Sequence, residues 1–123
     1  MKVIFFTVDN VLNFEDSDAE APSGKKGIAE ARVKELKSIV NLSGARLVLI
    51  GDWRKDWDFD DSKCTKDGVY LNKKLERKGL HILDKTNDDL ADDEAINDWI
   101  RRHPNVTESC VLKDINKIIW QEW

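Results

Sequence analysis

The chain has 123 residues, of which 41% are hydrophobic and 36% charged, with a formal net charge of −4. That length suits one domain over residues 1–123 with a single core, and no apolar run approaches the roughly 20 residues of a membrane span. The acidic balance argues against nucleic acid as a direct ligand, because phosphate neutralisation needs a basic surface.

Only two Cys and two His are present, in no metal-ligand spacing, so a zinc site is not expected. Val3 to Phe6 is too short for the apolar stretch of a secretory leader. The expected compartment is therefore the cytoplasm, with Cys64 and Cys110 as reduced thiols.

Residues 2–7 read as a buried strand. Residues 14–27 carry Glu15, Asp16, Asp18, Glu20, Pro22, Gly24 and Gly27, the composition of an exposed loop. A helix is predicted over 28–42, where Val33, Leu36, Ile39 and Val40 recur at helical spacing and Lys34, Glu35 and Lys37 fill the other face. Gly44 suits its C-terminal cap. Residues 46–50 read as a second buried strand, followed by a long loop over 51–67 rich in Asp and Trp.

A second helix is predicted over 68–78, with Val69, Leu71 and Leu75 apolar and Gly79 closing it. Residues 81–83 give a short third strand. A third helix over 92–102 has Ile96, Trp99 and Ile100 on its inner stripe, and Pro104 ends it. Residues 109–112 form a fourth strand, with Cys110 in the core. The tail 115–123 reads as a short terminal helix rather than a fifth strand. Its Trp120 and Trp123 would finish the core or make an oligomer contact.

Strands alternating with helices define an α/β protein, a Rossmann-like three-layer sandwich with a mainly parallel sheet of about four strands. The segments 14–27 and 54–67 are too short for a cap domain. Ligand sites in such sheets lie outside the carboxyl ends of the strands. That rim should gather Thr7, Asp9, Gly51, Asp52, Lys113 and Asp114.

The strand from Val3 running through Thr7, Asp9 and Asn10 to Val11 and Leu12 resembles the first motif of the haloacid dehalogenase (HAD) superfamily. That motif is an apolar strand followed by Asp, any residue, Asp, Gly, Val or Thr, Leu. Residues 46–54, ending Gly51, Asp52, Trp53, Arg54, resemble the second motif of a small capless bacterial and phage subgroup, which includes domains attached to RNA-repair proteins. Lys85 and Thr86, the helix from Asp92 to His103, and the strand ending in Lys113 and Asp114 are also similar to that subgroup. The resemblance implies a phosphatase-type site with a carboxylate nucleophile, a second carboxylate as acid/base, a phosphate-holding hydroxyl and cation, and Mg²⁺ held by carboxylates.

Departures fall on that chemistry. Thr7 takes the nucleophile position, and a hydroxyl without a base is a weak nucleophile. Gly51 takes the phosphate-hydroxyl position and offers only its N–H. Lys113 replaces an acid, and Asp92 stands where the subgroup's arginine is expected. Asp9 and Asp114 are the remaining metal candidates, and Lys85 is a candidate phosphate lysine. Each has a plainer reading: Asp9 as a turn cap, Asp114 as an N-cap of the terminal helix, Lys85 as a solvated lysine, Arg54 as the partner of a loop carboxylate. Lys113 is expected to lie between Asp9 and Asp114 as a substitute for the ion.

The loop after strand two interleaves Trp53, Arg54 and Trp57 with Asp56, Asp58, Asp60 and Asp61. Trp and Arg are enriched at interface hot spots, so this loop is the expected surface for a basic protein partner; the alternative is that the indoles cover the core edge. It lacks the pattern of a calcium loop. The expected function is a catalytically degenerate HAD-like protein that works by binding, such as an immunity protein neutralising a basic nuclease toxin. The competing reading is a Mg²⁺-dependent phosphohydrolase using Asp9, acting on a small molecule or a nucleic-acid end. A phosphate or nucleotide sensor is a third.

Overall fold

The computed structural model describes residues 1–122. Five strands form one sheet in the order β3-β2-β1-β4-β5. They are β1 (Lys2–Phe6), β2 (Arg46–Leu49), β3 (Ile82–Lys85), β4 (Glu108–Leu112) and β5 (Trp120–Glu122). The first four run parallel, with Phe5 opposite both Val48 and Val111. Three helices, α1 (Glu30–Ser43), α2 (Lys66–Glu76) and α3 (Asp92–Arg101), link them.

The central strand explains the sandwich. Val3 to Phe6 are all fully buried, as a parallel strand covered on both faces must be. Alternation sends Ile4 and Phe6 to one face, where they join Leu47 and Leu49 of β2, Val33 and Leu36 of α1, and Leu71 and Leu75 of α2. Val3 and Phe5 point the other way, to Val48, Ile50 and the Ile96 and Trp99 of α3. Trp99 meets Phe5 edge-to-face at 5.6 Å. Each such buried aromatic contributes about 1.5–3 kcal/mol of burial free energy.

The predicted elements recur with shifted ends. The second helix starts at Lys66 because Thr65 caps it, accepting from the Gly68 N–H at 3.3 Å. Gly68 is required there, since a Cβ would collide with the Asp56 carbonyl. The first helix ends as expected at Gly44, in the left-handed conformation with φ 70°.

The tail is a correction. No helix forms over 115–122; Trp120–Glu122 instead pairs antiparallel with β4, Cys110 opposite Trp120. The reversal is made by Asp114, whose carboxylate accepts the Asn116 N–H at 3.0 Å while its carbonyl accepts from Lys117. The run Ile118, Ile119, Trp120 is β-branched and aromatic, which favours a pleated surface once a neighbouring strand is available. Trp120 packs on the first core cluster, one of the two alternatives open for it; Trp123 lies outside the described residues.

Among the described residues, no helix is long and apolar enough to cross a membrane. The segments after β1 and β2 carry one isolated bridge, Glu20 to Lys26, and two 3₁₀ turns, Asp52–Lys55 and Asp61–Lys63. Among the described residues, no cap covers the strand ends. In the order 3-2-1-4-5 the chain moves one way from β1 through β3, then crosses back to β4. The switch point lies between β1 and β4, where a crevice is expected.

Candidate functional site

A cleft of about 250 Å³ opens at that rim, lined by Thr7, Val8, Asp9, Asn10, Gly51, Asp52, Trp53, Asp92 and Lys113. The topology thus brings together five of the six residues expected there. Asp114 is not among the lining residues; it serves the turn to β5. The helix-cap reading of Asp114 is corrected to a turn cap, because no helix follows.

The turn after β1 is a closed hydrogen-bond network. The Thr7 hydroxyl donates to the Asp9 carbonyl at 2.8 Å. Asn10 takes a left-handed φ of 66°, which Asn tolerates better than most residues. Asn13, only 2% exposed, accepts from the Asn10 N–H and donates to the Asp9 carboxylate, both at 2.9 Å. Asp9 remains exposed and faces the cleft with its other oxygen uncommitted to that turn. Asn13 was not singled out in the sequence; a lone Asn after an apolar pair gives no signal of burial.

Two residues after the second strand, Gly51 opens the turn Asp52–Lys55 at φ 82° and ψ −168°. A Cβ there would press on the Thr7 methyl at 3.1 Å in a conformation that L side chains rarely adopt. The Gly51 N–H is aimed at Asp92 and donates to its Oδ1 at 3.0 Å. The same carboxylate lies 3.4 Å from Arg54 Nη2 and 3.4 Å from Lys113 Nζ.

The expected bridge of Lys113 between Asp9 and Asp114 is therefore corrected. Lys113 pairs with Asp92 from α3 instead, because α3 delivers a carboxylate to the rim at its first residue. With the Lys113 side chain 51% exposed, the pair contributes about 0–1 kcal/mol, far below the cost expected of a buried bridge.

Arg54 lies beneath the cleft, 7% exposed. Its guanidinium donates to the Gly51 carbonyl (2.9 Å), the Thr86 hydroxyl (3.1 Å), and the Asn87 and Leu90 carbonyls (2.8 and 3.1 Å). The planar fork suits this many fixed acceptors. Lys85 is likewise structural rather than solvated: its ammonium donates to the Arg54 and Trp57 carbonyls at 2.8 and 2.9 Å and pairs with Asp88. It does not line the cleft.

The loop expected to meet a partner is divided by burial. Trp53 and Trp57 are only 2% and 3% exposed, so the indoles cover the core edge and are not presented as anchors. Trp57 donates its indole N–H to Asn72, and Asp56 is taken by Lys25 and the Thr65 hydroxyl, each at 2.8 Å. Outside remain Phe59, 69% exposed and 5.0 Å from Trp57 in an edge contact, with the exposed Asp60 and Asp61 and the half-buried Asp58 beside it. Hydrogen bonds from Ser62 hold the Asp60 carboxyl below the usual range, so it stays charged in mild acid.

The donor set at the rim does not fit Mg²⁺. The ion needs several hard oxygens. Asp9, Asp52 and Asp92 line the cleft, but Asp92 is engaged by the Gly51 N–H, Arg54 and Lys113, Thr7 supplies only a neutral hydroxyl, Asp114 faces another turn, and an ammonium stands in the cleft. Among the described residues, no three His, Cys, Asp or Glu side chains converge as metal ligands would.

A family model described as the HAD domain in Swiss Army Knife RNA repair proteins matches residues 3–123. No curated protein and no solved structure matches the chain.

Proposed function

The chain belongs to the family of HAD domains found in Swiss Army Knife RNA repair proteins, and from that premise we propose that it is a catalytically degenerate member acting by protein binding. The observation that carries this reading is the nucleophile position. Thr7 is neutral, and its hydroxyl is spent on the Asp9 carbonyl at 2.8 Å. Attack on phosphorus needs a carboxylate or a hydroxyl whose proton a base removes, and a backbone carbonyl is no such base. The binding surface is the exposed tip around Phe59 with Asp58, Asp60 and Asp61. A charged rim around one aromatic side chain steers and then anchors a basic surface. The partner is a basic protein, and neutralising a basic nuclease toxin is the most concrete form of the role.

A second reading keeps one observation in its favour: Asp9 is exposed and faces the open cleft, as an acid/base or metal ligand of a phosphohydrolase would. Two measurements separate them. Hydrolysis of p-nitrophenyl phosphate with Mg²⁺ should stay at the blank rate; turnover that disappears in Asp9→Asn would establish the enzyme. Calorimetric titration against a basic nuclease domain should show binding that Asp9→Asn leaves intact and Phe59→Ala weakens.

A further inference from the structure

Three donors, two from the turn after β2 and one from beyond β4, converge on one carboxylate. The Gly51 N–H and the Arg54 guanidinium of the turn after β2 and the Lys113 ammonium beyond β4 all reach Asp92, the first by a hydrogen bond of 3.0 Å and the other two as ion pairs at 3.4 Å each. An N–H flanked by two cations is the donor set that recognises a small oxyanion. Gly51 holds its N–H in that direction through a backbone conformation reserved for glycine. Arg54 sends its remaining donors to neutral oxygens, so Asp92 is the acid within ion-pair reach of its buried charge among the described residues. We infer that Asp92 is an internal ligand: its carboxylate occupies an oxyanion site built from Gly51, Arg54 and Lys113, and keeps external tetrahedral oxyanions out.

The charge balance agrees. Asp9, Asp52 and Asp92 face Lys113 in the cleft, with Arg54 below it. Three carboxylates against two cations leave one negative charge, which repels a phosphate as well as denying it the donors. Removing the Asp92 carboxylate makes the two signs equal and frees all three donors. The cleft, at about 250 Å³, has room for a tetrahedral ion. Asp92 is only 22% exposed at its side chain and sits on the first residue of α3, so the plug is held by a helix packed on the sheet and not by a loose loop. The inference stands apart from the partner reading, because it concerns the rim and not the Phe59 tip.

The test uses inorganic phosphate, with sulfate as a second tetrahedral ion and chloride at matched ionic strength as control. Wild type should show no phosphate-specific shift in melting temperature. Asp92→Ala should melt lower in chloride and regain stability in phosphate and sulfate, with calorimetric affinity at least about tenfold above wild type. Adding Lys113→Ala to that variant should remove the gain. Equal phosphate affinity in wild type and Asp92→Ala, or a folded Asp92→Ala indifferent to phosphate, overturns the inference. Should Asp92→Ala fail to fold in either salt, Asp92→Asn decides. It keeps the shape and an acceptor for Gly51 but loses the charge, and it must bind phosphate more tightly than wild type or the inference fails.

Discussion

The ammonium of Lys25 stands 4.1 Å above the centroid of the Trp53 ring. It also reaches Asp56 at 2.8 Å and Asp67 at 3.6 Å, so one lysine from the bridge-closed segment after β1 clamps the turn after β2. Cation–π contact near a surface contributes about 0.5–1 kcal/mol, and a half-exposed pair about 0–1. Lys25→Ala should therefore lose about 1–2 kcal/mol in urea unfolding, with the fluorescence of the native state altered because Trp53 loses its neighbour.

Asp67 gives that clamp a pH dependence. Burial, at 4% exposure, raises its pKa, but hydrogen bonds from Ser23 and the charge of Lys25 outweigh burial and hold the folded-state value below that of a free aspartate. A depressed folded pKa means stability that is fully present above the unfolded value of about 3.9 and is lost as pH falls through the lower folded one. Denaturant midpoints measured from pH 6 down to pH 2 should fall below about pH 4. Asp67→Asn should be less stable at pH 6 and show a shallower fall; an identical slope in both proteins would remove Asp67 as the cause.

Arg54 carries the larger energetic share at the rim. Its charge is buried and its fork makes four hydrogen bonds, one within its own turn and three to the segment between β3 and α3. Arg54→Ala should cost about 3–5 kcal/mol, because carbonyls fixed around the fork lose a charged donor. Arg54→Lys should recover only a part, since a point charge cannot reproduce planar, multiply directed donors. Equilibrium unfolding of both variants checks the order.

How much of this was written in the sequence depends on the range of the interaction. The strand-helix alternation and the sandwich were legible because Val3 to Phe6 and Leu47 to Ile50 are continuously apolar and the helices keep their period. The rim residues were legible too, since topology alone sends the ends of parallel strands to one place. Pairings were not. Lys113 finds Asp92 and not Asp9 or Asp114 because α3 happens to start at the rim. The core-edge alternative for Trp53 and Trp57 holds, but that Lys25 would cover Trp53 and Asn72 of α2 would take the Trp57 indole was not legible. The tail was misread because Ile118 to Trp120 satisfies a short helix or a strand equally well until β4 supplies a partner edge.

Restoring the missing carboxylate tests whether one substitution separates this chain from an active relative. Thr7→Asp places an acid at the nucleophile position but leaves Asp92 on the Gly51 N–H and Lys113 in the cleft. It should also lose the bond to the Asp9 carbonyl and melt at a lower temperature. With p-nitrophenyl phosphate and Mg²⁺ the variant should remain at the blank rate. Turnover from this single change would mean that the rest of the machinery survives.

The two thiols should separate cleanly in a reactivity assay. Burial pushes the Cys110 thiol up to about 12, so almost no thiolate exists at pH 8, and the side chain is also closed to reagent at 1% exposure. Cys64 is half-buried, with its sulfur in contact with the Asp58 backbone. An aromatic disulfide reagent at pH 8 should titrate one thiol per native chain and the second only on unfolding. Two thiols reacting at one rate would mean that β4 opens far more readily than a core strand should.

Phe59 separates stability from binding. Its ring is mostly in water and meets the edge of Trp57, so Phe59→Ala should change unfolding free energy by no more than about 0.5–1 kcal/mol. A central aromatic in a charged rim is, by contrast, the type of residue whose removal costs an interface about 2 kcal/mol or more, a loss of roughly thirtyfold in affinity. Asp60→Asn and Asp61→Asn, placed on the rim, should act mainly on the association rate and weaken with salt. A Phe59→Ala protein that binds a basic partner as tightly as wild type, with the same rate and salt dependence, would move the interface to another face. A variant that loses binding while nearly keeping its melting temperature would put the interface at this tip, because the ring contributes little to the fold.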